Sequence, residues 1–390
     1  SYRYISSIGF IANEEKDFEI FSYFLIRHNN YYSYIYPRIV TNHNSFERFT
    51  GIPRDIKRFG FHSGETDLSG IGFKNNNAIF QIGRGREGWG SGSDIQLALS
   101  HNSPAYDYFK FMYEHSQIRF MYFHGFLENS NEYNRYITGR GLELTNKKSL
   151  IIGLSEIVIY SGINRPIDFA YFNPVSNHVE IELNNRQNVL GVNDANAVWQ
   201  ISTDFLTRSG FRFSANIILD EIILDQIELD SGKVNGVGYS ARIAKTKIIN
   251  NNTFVFYSNI ISVGTHTFRH ARGFNNFVQR GSPLGWEYGS DGYEINFGCN
   301  FFNNDNLIIK AKTGKRIIGS ASIISNPYDR YSNNYKKGFF PSGEKNETLL
   351  FSMQLHWKYK PKYNIILISK YESSNNSELH TKFCFYMDLL

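Results

Sequence analysis

The sequence predicts an all-β fold: a transmembrane antiparallel β-barrel of about 16–18 strands, with 18 preferred. The first observation behind this is alternation. Leu379, Thr381, Phe383, Phe385, Met387 and Leu389 are apolar or nearly so, and Glu378, His380, Lys382, Cys384, Tyr386 and Asp388 stand between them. Successive side chains on a strand point to opposite faces, so one face is oily and the other polar. Upstream, Phe351, Met353, Leu355, Trp357 and Tyr359 oppose Ser352, Gln354, His356, Lys358 and Lys360, and Tyr293, Ile295, Phe297, Cys299 and Phe301 oppose Glu294, Asn296, Gly298 and Asn300. The second observation is length, since such segments reach the roughly 9–11 residues of a tilted bilayer crossing. The third is aromatic content, 16% of the chain, concentrated on the apolar faces as in the girdles of membrane barrels. A soluble sandwich also alternates, but over strands of roughly 5–6 residues.

Taken in order, Phe18–Arg27 and Ala78–Gly83 open the series, followed by Ile118–Leu127, Tyr136–Thr145, Leu150–Tyr160 and Gly210–Leu219. Gly236–Ala244, Phe254–Val263, Glu294–Phe302, Leu307–Lys312, Leu350–Lys360 and Tyr363–Tyr371 continue it to the final alternating run. Asn75-Asn76-Asn77, Asn250-Asn251-Asn252, Asn303-Asn304-Asp305 and Ser373-Ser374-Asn375-Asn376 punctuate them with residues that tight turns favour. There is no linker, and residues 1–390 read as one barrel domain. Two segments break the rhythm: Arg84 to Phe109, rich in Gly and Ser, and Gln187 to Thr207, where Asn193 or Asp194 is placed to start a short helix. Both read as long loops or lumen-filling pieces. Glu156 would face lipid on the register of Leu150, Ile152 and Leu154, so a strand end or bulge is expected there.

Composition narrows the function. The net charge of +5 and a pI near 8.9 suit anionic lipid or an acidic glycan and fall short of a nucleic-acid signature. Mean hydropathy is −0.37, and no apolar run is long enough for a transmembrane helix. A start at Ser1 reads as an exported chain after signal removal, or equally as a trimmed one. Cys299 falls on the lipid face and Cys384 on the lumen face, which argues against a disulfide, and neither has metal-ligand spacing. No metal or cofactor is expected.

The most distinctive run is Gly83-Arg84-Gly85-Arg86-Glu87-Gly88-Trp89-Gly90-Ser91-Gly92-Ser93-Asp94. No Walker lysine follows it, so it is not a phosphate loop. Its glycines permit sharp turns in a confined space. Two readings of Arg84, Arg86, Glu87 and Asp94 stay open: they pair across the lumen and lock an inward loop, or they meet a ligand. His101 lies beside Ser100 and Ser103, but strand neighbours point apart and do not make a catalytic dyad. No enzyme is expected.

Trp89-Gly90-Ser91-Gly92 and Leu99-Ser100-His101-Asn102-Ser103-Pro104 resemble motifs of the capsule assembly Wzi proteins of bacterial outer membranes. Tyr122-Phe123-His124-Gly125, Arg135-Tyr136-Ile137, Ile152-Gly153-Leu154-Ser155-Glu156, Ser161-Gly162 and Asn173-Pro174 follow in the family's order. Leu219-Asp220-Glu221, Leu224-Asp225, Pro283-Leu284-Gly285 and Gly289-Ser290-Asp291 complete the likeness. Ser91 departs from the more usual proline, no helical portion precedes Phe18, and the last residue is Leu390 rather than an aromatic. The resemblance implies an outer-membrane barrel of about 18 strands that acts, without catalysis, as a lectin for capsular polysaccharide. Glycan binding needs aromatic faces and planar hydrogen-bonding groups. Trp89, Tyr106 and Trp286 are the aromatic candidates, and Arg84, Arg86, Asp94, Asn102 and Asp291 the polar ones, with Trp286 equally readable as an interfacial belt residue. The expected partners are outer-membrane lipid and an acidic polysaccharide. A diffusion porin and an accessory barrel of a larger envelope complex are the alternatives.

Overall fold

The structure is a computed structural model that describes residues 2–54, 60–129, 132–189, 195–220, 230, 235–303, 306–330, 339–374 and 377–389. Asn193, Asp194, Glu221, Leu224, Asp225, Asn304, Asp305, Asn375, Asn376 and the two terminal residues, all used in the sequence reading, lie outside the described residues. The chain forms β1 (Tyr2–Asn13), β2 (Phe18–His28), β3 (Tyr31–Val40), β4 (Ser63–Lys74), β5 (Ala78–Gly85), β6 (Tyr106–His115) and β7 (Ile118–Phe126). β8 (Tyr133–Thr145) and β9 (Leu150–Ile163) precede two short helices, α1 (Phe169–Phe172) and α2 (His178–Leu183). Then come β10 (Ala195–Leu206), β11 (Phe211–Leu219), β12 (Val237–Ile249), β13 (Asn252–Val263) and a small ribbon, β14 (Val278–Gln279) with β15 (Ser282–Pro283). β16 (Gly292–Phe302), β17 (Leu307–Gly319), β18 (Lys345–Lys360), β19 (Tyr363–Ser373) and β20 (Ser377–Asp388) end the series.

Apart from the ribbon, these strands make one 18-stranded sheet. Each pairs antiparallel with its neighbour in sequence, β13 pairs with β16, and β20 pairs with β1 to close the circle, Phe385 opposite Phe10. At one rim the connections are tight. Asn250 and Asn251 alone join β12 to β13, with φ of 47° and 63°, the two positive values that a type I′ hairpin requires. Residues 29–30, 116–117 and 361–362 make similar turns, and the chain's described ends, Tyr2 and Leu389, lie at this rim. The longest connections, 41–62, 86–105, 164–194, 264–291 and 320–344, all leave the opposite rim.

The predicted register holds. Phe351, Met353 and Phe383 are open on the outer face, while Cys384, Leu350 and Thr348 are buried inward. Cys299 and Cys384 are free. The interior is filled. Trp89, Ile95, Leu97, Ala98 and Leu99 from loop 86–105 pack with Phe268, Phe277, Val278, Leu284, Trp286 and Ile323 from later loops. The wall contributes Phe123, Ile137, Ile157, Ile159, Val198, Ile218 and Ile261 to the same core. The lumen is therefore occluded by inward-folded loops.

Three expectations need correction. Arg84 and Gly85 end β5, and Tyr106 to Phe109 begin β6, so the inward loop is 86–105 rather than 84–109. Residues 195–206 are strand β10 and not a helix. The alternation there was disguised because inward Val198 and outward Ala195 and Ala197 are all buried. Finally, β9 runs through Glu156 without a bulge, opposite Arg140 and Trp199. Glu156 does lie on the outer face, but α1 and α2 fold back over that part of the wall. Its Oε1 accepts from Trp199 Nε1 at 2.9 Å and from His178 N at 3.0 Å, and Arg140 Nε stands 3.5 Å from Oε2. A bare charge on a barrel's lipid face costs up to about 2–4 kcal/mol near the midplane for Arg or Lys and less for acids. The roof of helices removes that contact.

Nitroxide labels at Phe383 and Lys382 test the register. Label 383 should show lipid-like oxygen accessibility and label 382 exposure to water-soluble quencher, and the opposite pattern would overturn the assignment of faces.

Candidate functional site

Loop 86–105 descends from the long-loop rim and returns, held by polar wall residues. Ser91 N donates to Asn216 Oδ1 at 2.7 Å, and Asn216 Nδ2 donates to Ser91 O at 2.8 Å and Ile95 O at 3.1 Å. Ser240 Oγ donates to Ile95 O at 2.6 Å. At Gly90 φ is +100°, and an added Cβ would sit 2.5 Å from Gln200, so only glycine fits the bend. A Cβ on Gly285 would come 1.6 Å from Leu97 O, where loops 86–105 and 264–291 cross in backbone contact. Arg135, directed inward from β8, donates to Phe274 O, Asn276 O and Val278 O at 2.6, 3.1 and 3.0 Å, fixing the second loop to the wall.

The eight candidate residues separate. Trp89, Trp286 and Asp291 are buried in the plug, and Tyr106, the first residue of β6, is buried against it. Trp89 meets Phe123 edge-on with centroids 5.3 Å apart, and its Nε1 donates to Glu87. Asp291, fully buried, accepts from Thr265 Oγ1 (2.7 Å), Ser342 N (2.8 Å), Ser342 Oγ (2.6 Å) and Ala321 N (3.1 Å), tying loop 264–291 to loop 320–344. Arg86 is paired with Asp67 and donates to Ser103 O at 2.9 Å. Asp94 binds Arg242 and Asn259 on the wall, while Glu87 binds Lys110 at 3.0 Å. The charges of this loop thus pair with strand residues rather than with one another. Arg84 shares the outer face of β5 with Phe80 and Ile82 and reaches Thr66 O and Thr50 Oγ1 at 3.1 and 3.2 Å. That placement corrects its expected membership of a lumen cluster. Asn102 is exposed to a small cavity of about 130 Å³ that it lines with Asp94, Gln96, Trp286 and Lys312.

Sequence reasoning missed the mouth. A cavity of about 680 Å³ opens there, lined by Glu14, Tyr36, Arg38, Asn42, Glu47, Arg48, Lys370, His380 and Lys382 among others. These come from both ends of the chain, and only barrel closure brings them together. Lys370 Nζ lies 2.9 Å and Lys382 Nζ 3.5 Å from Glu47 Oε1. Desolvation pushes the Glu47 carboxyl up, but Lys370 and then Lys382 outweigh it and hold the group at about 2. Beside the cavity, Arg48 Nη1 donates to His101 O at 2.7 Å and Arg280 Nη1 to Thr50 O at 3.4 Å, so Arg48, Arg84 and Arg280 surround the Thr50 segment. Below the plug, a second cavity of about 1010 Å³ includes Asp94, Lys147, Lys148, Arg212, Arg242 and Lys310 in its lining. The hydroxyls of Ser100 and Ser103 donate to the carbonyls of Gly285 and Ser100. Among the described residues no group of three or more His, Cys, Asp or Glu is placed to hold a metal.

A closed, lipid-belted sheet with a self-made plug defines the class: an outer-membrane-type β-barrel with an occluded lumen. No protein-family model matches the sequence, and no curated protein is significantly similar to it. Solved structures do match in fold. Wzi of Escherichia coli, described as an outer-membrane protein involved in group 1 capsule assembly and a carbohydrate-binding β-barrel, superposes with a TM-score of 0.71 at 12% identity, covering 98% of this chain and 84% of that one. A BenF-like porin from Pseudomonas fluorescens gives a TM-score of 0.54 at 7% identity over 100% of this chain and 98% of that one. OprD of Pseudomonas aeruginosa gives 0.52 at 8% identity, covering 100% and 95%. The resemblance to Wzi proteins read from the motifs is borne out at the level of the fold.

Asp291→Ala would leave several buried donors unmet, at a cost of at least about 1–3 kcal/mol. The expected outcome is a lower temperature for the heat-induced gel-mobility shift and faster proteolysis of the loops it joins, with the sheet still closed. Glu47 is a depressed carboxyl, so its pairing contributes fully above the ordinary value of 4.5 and is lost as pH falls towards about 2. Half of the side chain meets solvent, so screening keeps the contribution small. Hydrogen-exchange protection of residues 43–48 should fall across that window, and Glu47→Gln should abolish the pH dependence.

Proposed function

We propose that this protein is a non-catalytic outer-membrane barrel that retains an extracellular polysaccharide on its long-loop rim. The observation that carries this reading is the closed lumen: a hydrophobic plug built from three loops leaves a sculpted mouth in place of an open bore. Bacterial barrels direct short turns to the periplasm and long loops outward, which orients the mouth to the cell exterior. The stronger fold likeness to a carbohydrate-binding barrel, TM-score 0.71 against 0.52–0.54 for the porins, supports it further. Of the residues expected from sequence, Arg84 belongs to this rim, joined by Arg48 and Arg280, and Asn102 lines a small cavity with Asp94 and Trp286. Guanidinium groups match carboxylates in bidentate fashion, which suits an acidic glycan. Trp89, Tyr106, Trp286, Arg86 and Asp291 support the surface from beneath, and Asp94 faces the cavity below the plug.

Deleting the gene and measuring cell-bound and released polysaccharide separately tests the role; the expected outcome is a shift from bound to released material. At about 0.2–1 kcal/mol per exposed contact, Arg48→Ala with Arg280→Ala should weaken binding to an acidic glycan roughly twofold to thirtyfold, more at low salt. Unchanged retention after deletion would overturn the proposal. A large, steady conductance of the intact protein in planar bilayers would favour the diffusion-porin reading, and stoichiometric co-extraction with envelope proteins the accessory-subunit reading.

A further inference from the structure

The helices α1 and α2 lie outside the barrel, against a stretch of wall where other strands meet lipid. Counted from the short-turn rim, the exposed apolar face of β18 extends to its twelfth residue, Leu349. Glu156 and Tyr160 are the seventh and eleventh residues of β9 from the same rim and face outward. Both are buried, under the helices, while Ile152 and Leu154 on the same face are open. The inner side of the helical segment supplies Ala170, Tyr171 and Ile181, which pack on Val158, Tyr160 and Ala197. Its outer side exposes large apolar side chains. Val175 is 81% exposed, Leu183 76% and Phe169 71%. Val179 and Leu183, four residues apart, share one face of α2. Among the polar residues, Glu180 and Arg186 pair at 2.5 Å beside Asn184 and Asn185, and Glu182 turns back to His178 Nε2 at 3.2 Å.

We propose that the α1–α2 segment is a lipid-binding element, its outer apolar face immersed in the outer leaflet as a replacement for the charged wall it covers. Continuity with the lipid belt argues for lipid as the occupant. The wall residues that the segment covers stand at heights where β18 presents Phe351, Met353 and Leu349 to hydrocarbon. A wall carrying Arg140 and Glu156 cannot itself be that surface, and an amphipathic cover with a polar edge lies naturally at the interface.

The test uses full-length protein with Cys299→Ser and Cys384→Ser, reconstituted in phosphatidylcholine vesicles. Nitroxide labels are placed through Val175→Cys, Leu183→Cys and Asn185→Cys, with Leu154→Cys as the lipid reference, and retained folding is checked by heat-modifiable migration. Labels at 175 and 183 should show an oxygen-to-nickel-chelate accessibility ratio close to that at 154 and several-fold above that at 185. Ratios at 175 and 183 equal to that at 185 would overturn the proposal. So would labels that are water-accessible in vesicles but shielded from both quenchers in native membranes, because a protein partner would then be the occupant. If a label perturbs folding, fluorescence quenching of Val175→Trp by lipids brominated at the upper acyl chain gives the same decision. Additional quenching beyond that of the native tryptophans is expected, and none would overturn it.

Discussion

Hydrocarbon offers no partner to a backbone N–H or C=O, and the whole structure answers to that constraint. A sheet of 18 strands satisfies it only by closing, which the β1–β20 ladder does over residues 7–13 and 382–388. Closure has a second effect. It encloses an interior too wide for wall side chains alone to fill, and the same chain must either line that space with polar groups around water or fill it. Here it does both: polar residues such as Asn216, Gln200 and Ser240 project inward, and each is matched to a backbone group of an inserted loop.

The plug is therefore a hydrophobic core on a polar seat. Leu97, Ile95 and Phe277 are fully or almost fully buried among wall residues Ile157, Ile159 and Val198, and burial of such side chains contributes about 1.5–3 kcal/mol each. Arginines do the positioning. Arg135 and Arg269 are fully buried and donate to loop carbonyls, Arg269 Nη2 reaching Ala321 O at 2.6 Å. A guanidinium provides several donors in a fixed plane, so one side chain fixes a stretch of irregular backbone that would otherwise lack partners. The rigid floor so produced is what gives the mouth a defined shape.

Outside the wall the same principle operates in reverse. Charges at Arg140 and Glu156 are placed where lipid would be, and two short helices cover them. Tyr122 Oη donates to Phe172 O at 2.5 Å and Tyr160 Oη accepts from Asp168 N at 3.3 Å, so polar wall groups serve to dock the cover. The barrel is thus asymmetric, lipid-faced over most of its circumference and helix-faced over β7–β10.

Much of this was legible in the sequence, because a period of two with aromatics on one face has few physical meanings. Strand directions, the facing of Phe383 and Cys384, the free cysteines and the Asn-Asn turn at 250–251 follow from local rules that need no distant partner. The Gly-rich run announced an inward loop for the same reason, since backbone bends at Gly90 are written in residue type. The site was not legible. The mouth assembles Glu14 and Arg48 with Lys370 and Lys382, residues separated by most of the chain and joined only when the first and last strands meet. Burial of Trp89 and Trp286 in the plug and of Tyr106 against it, the strand at 195–206 and the cover over Glu156 depended likewise on what packs against each residue. Periodicity states which face a side chain occupies, and only the tertiary structure decides whether that face meets lipid, water or another piece of the same protein.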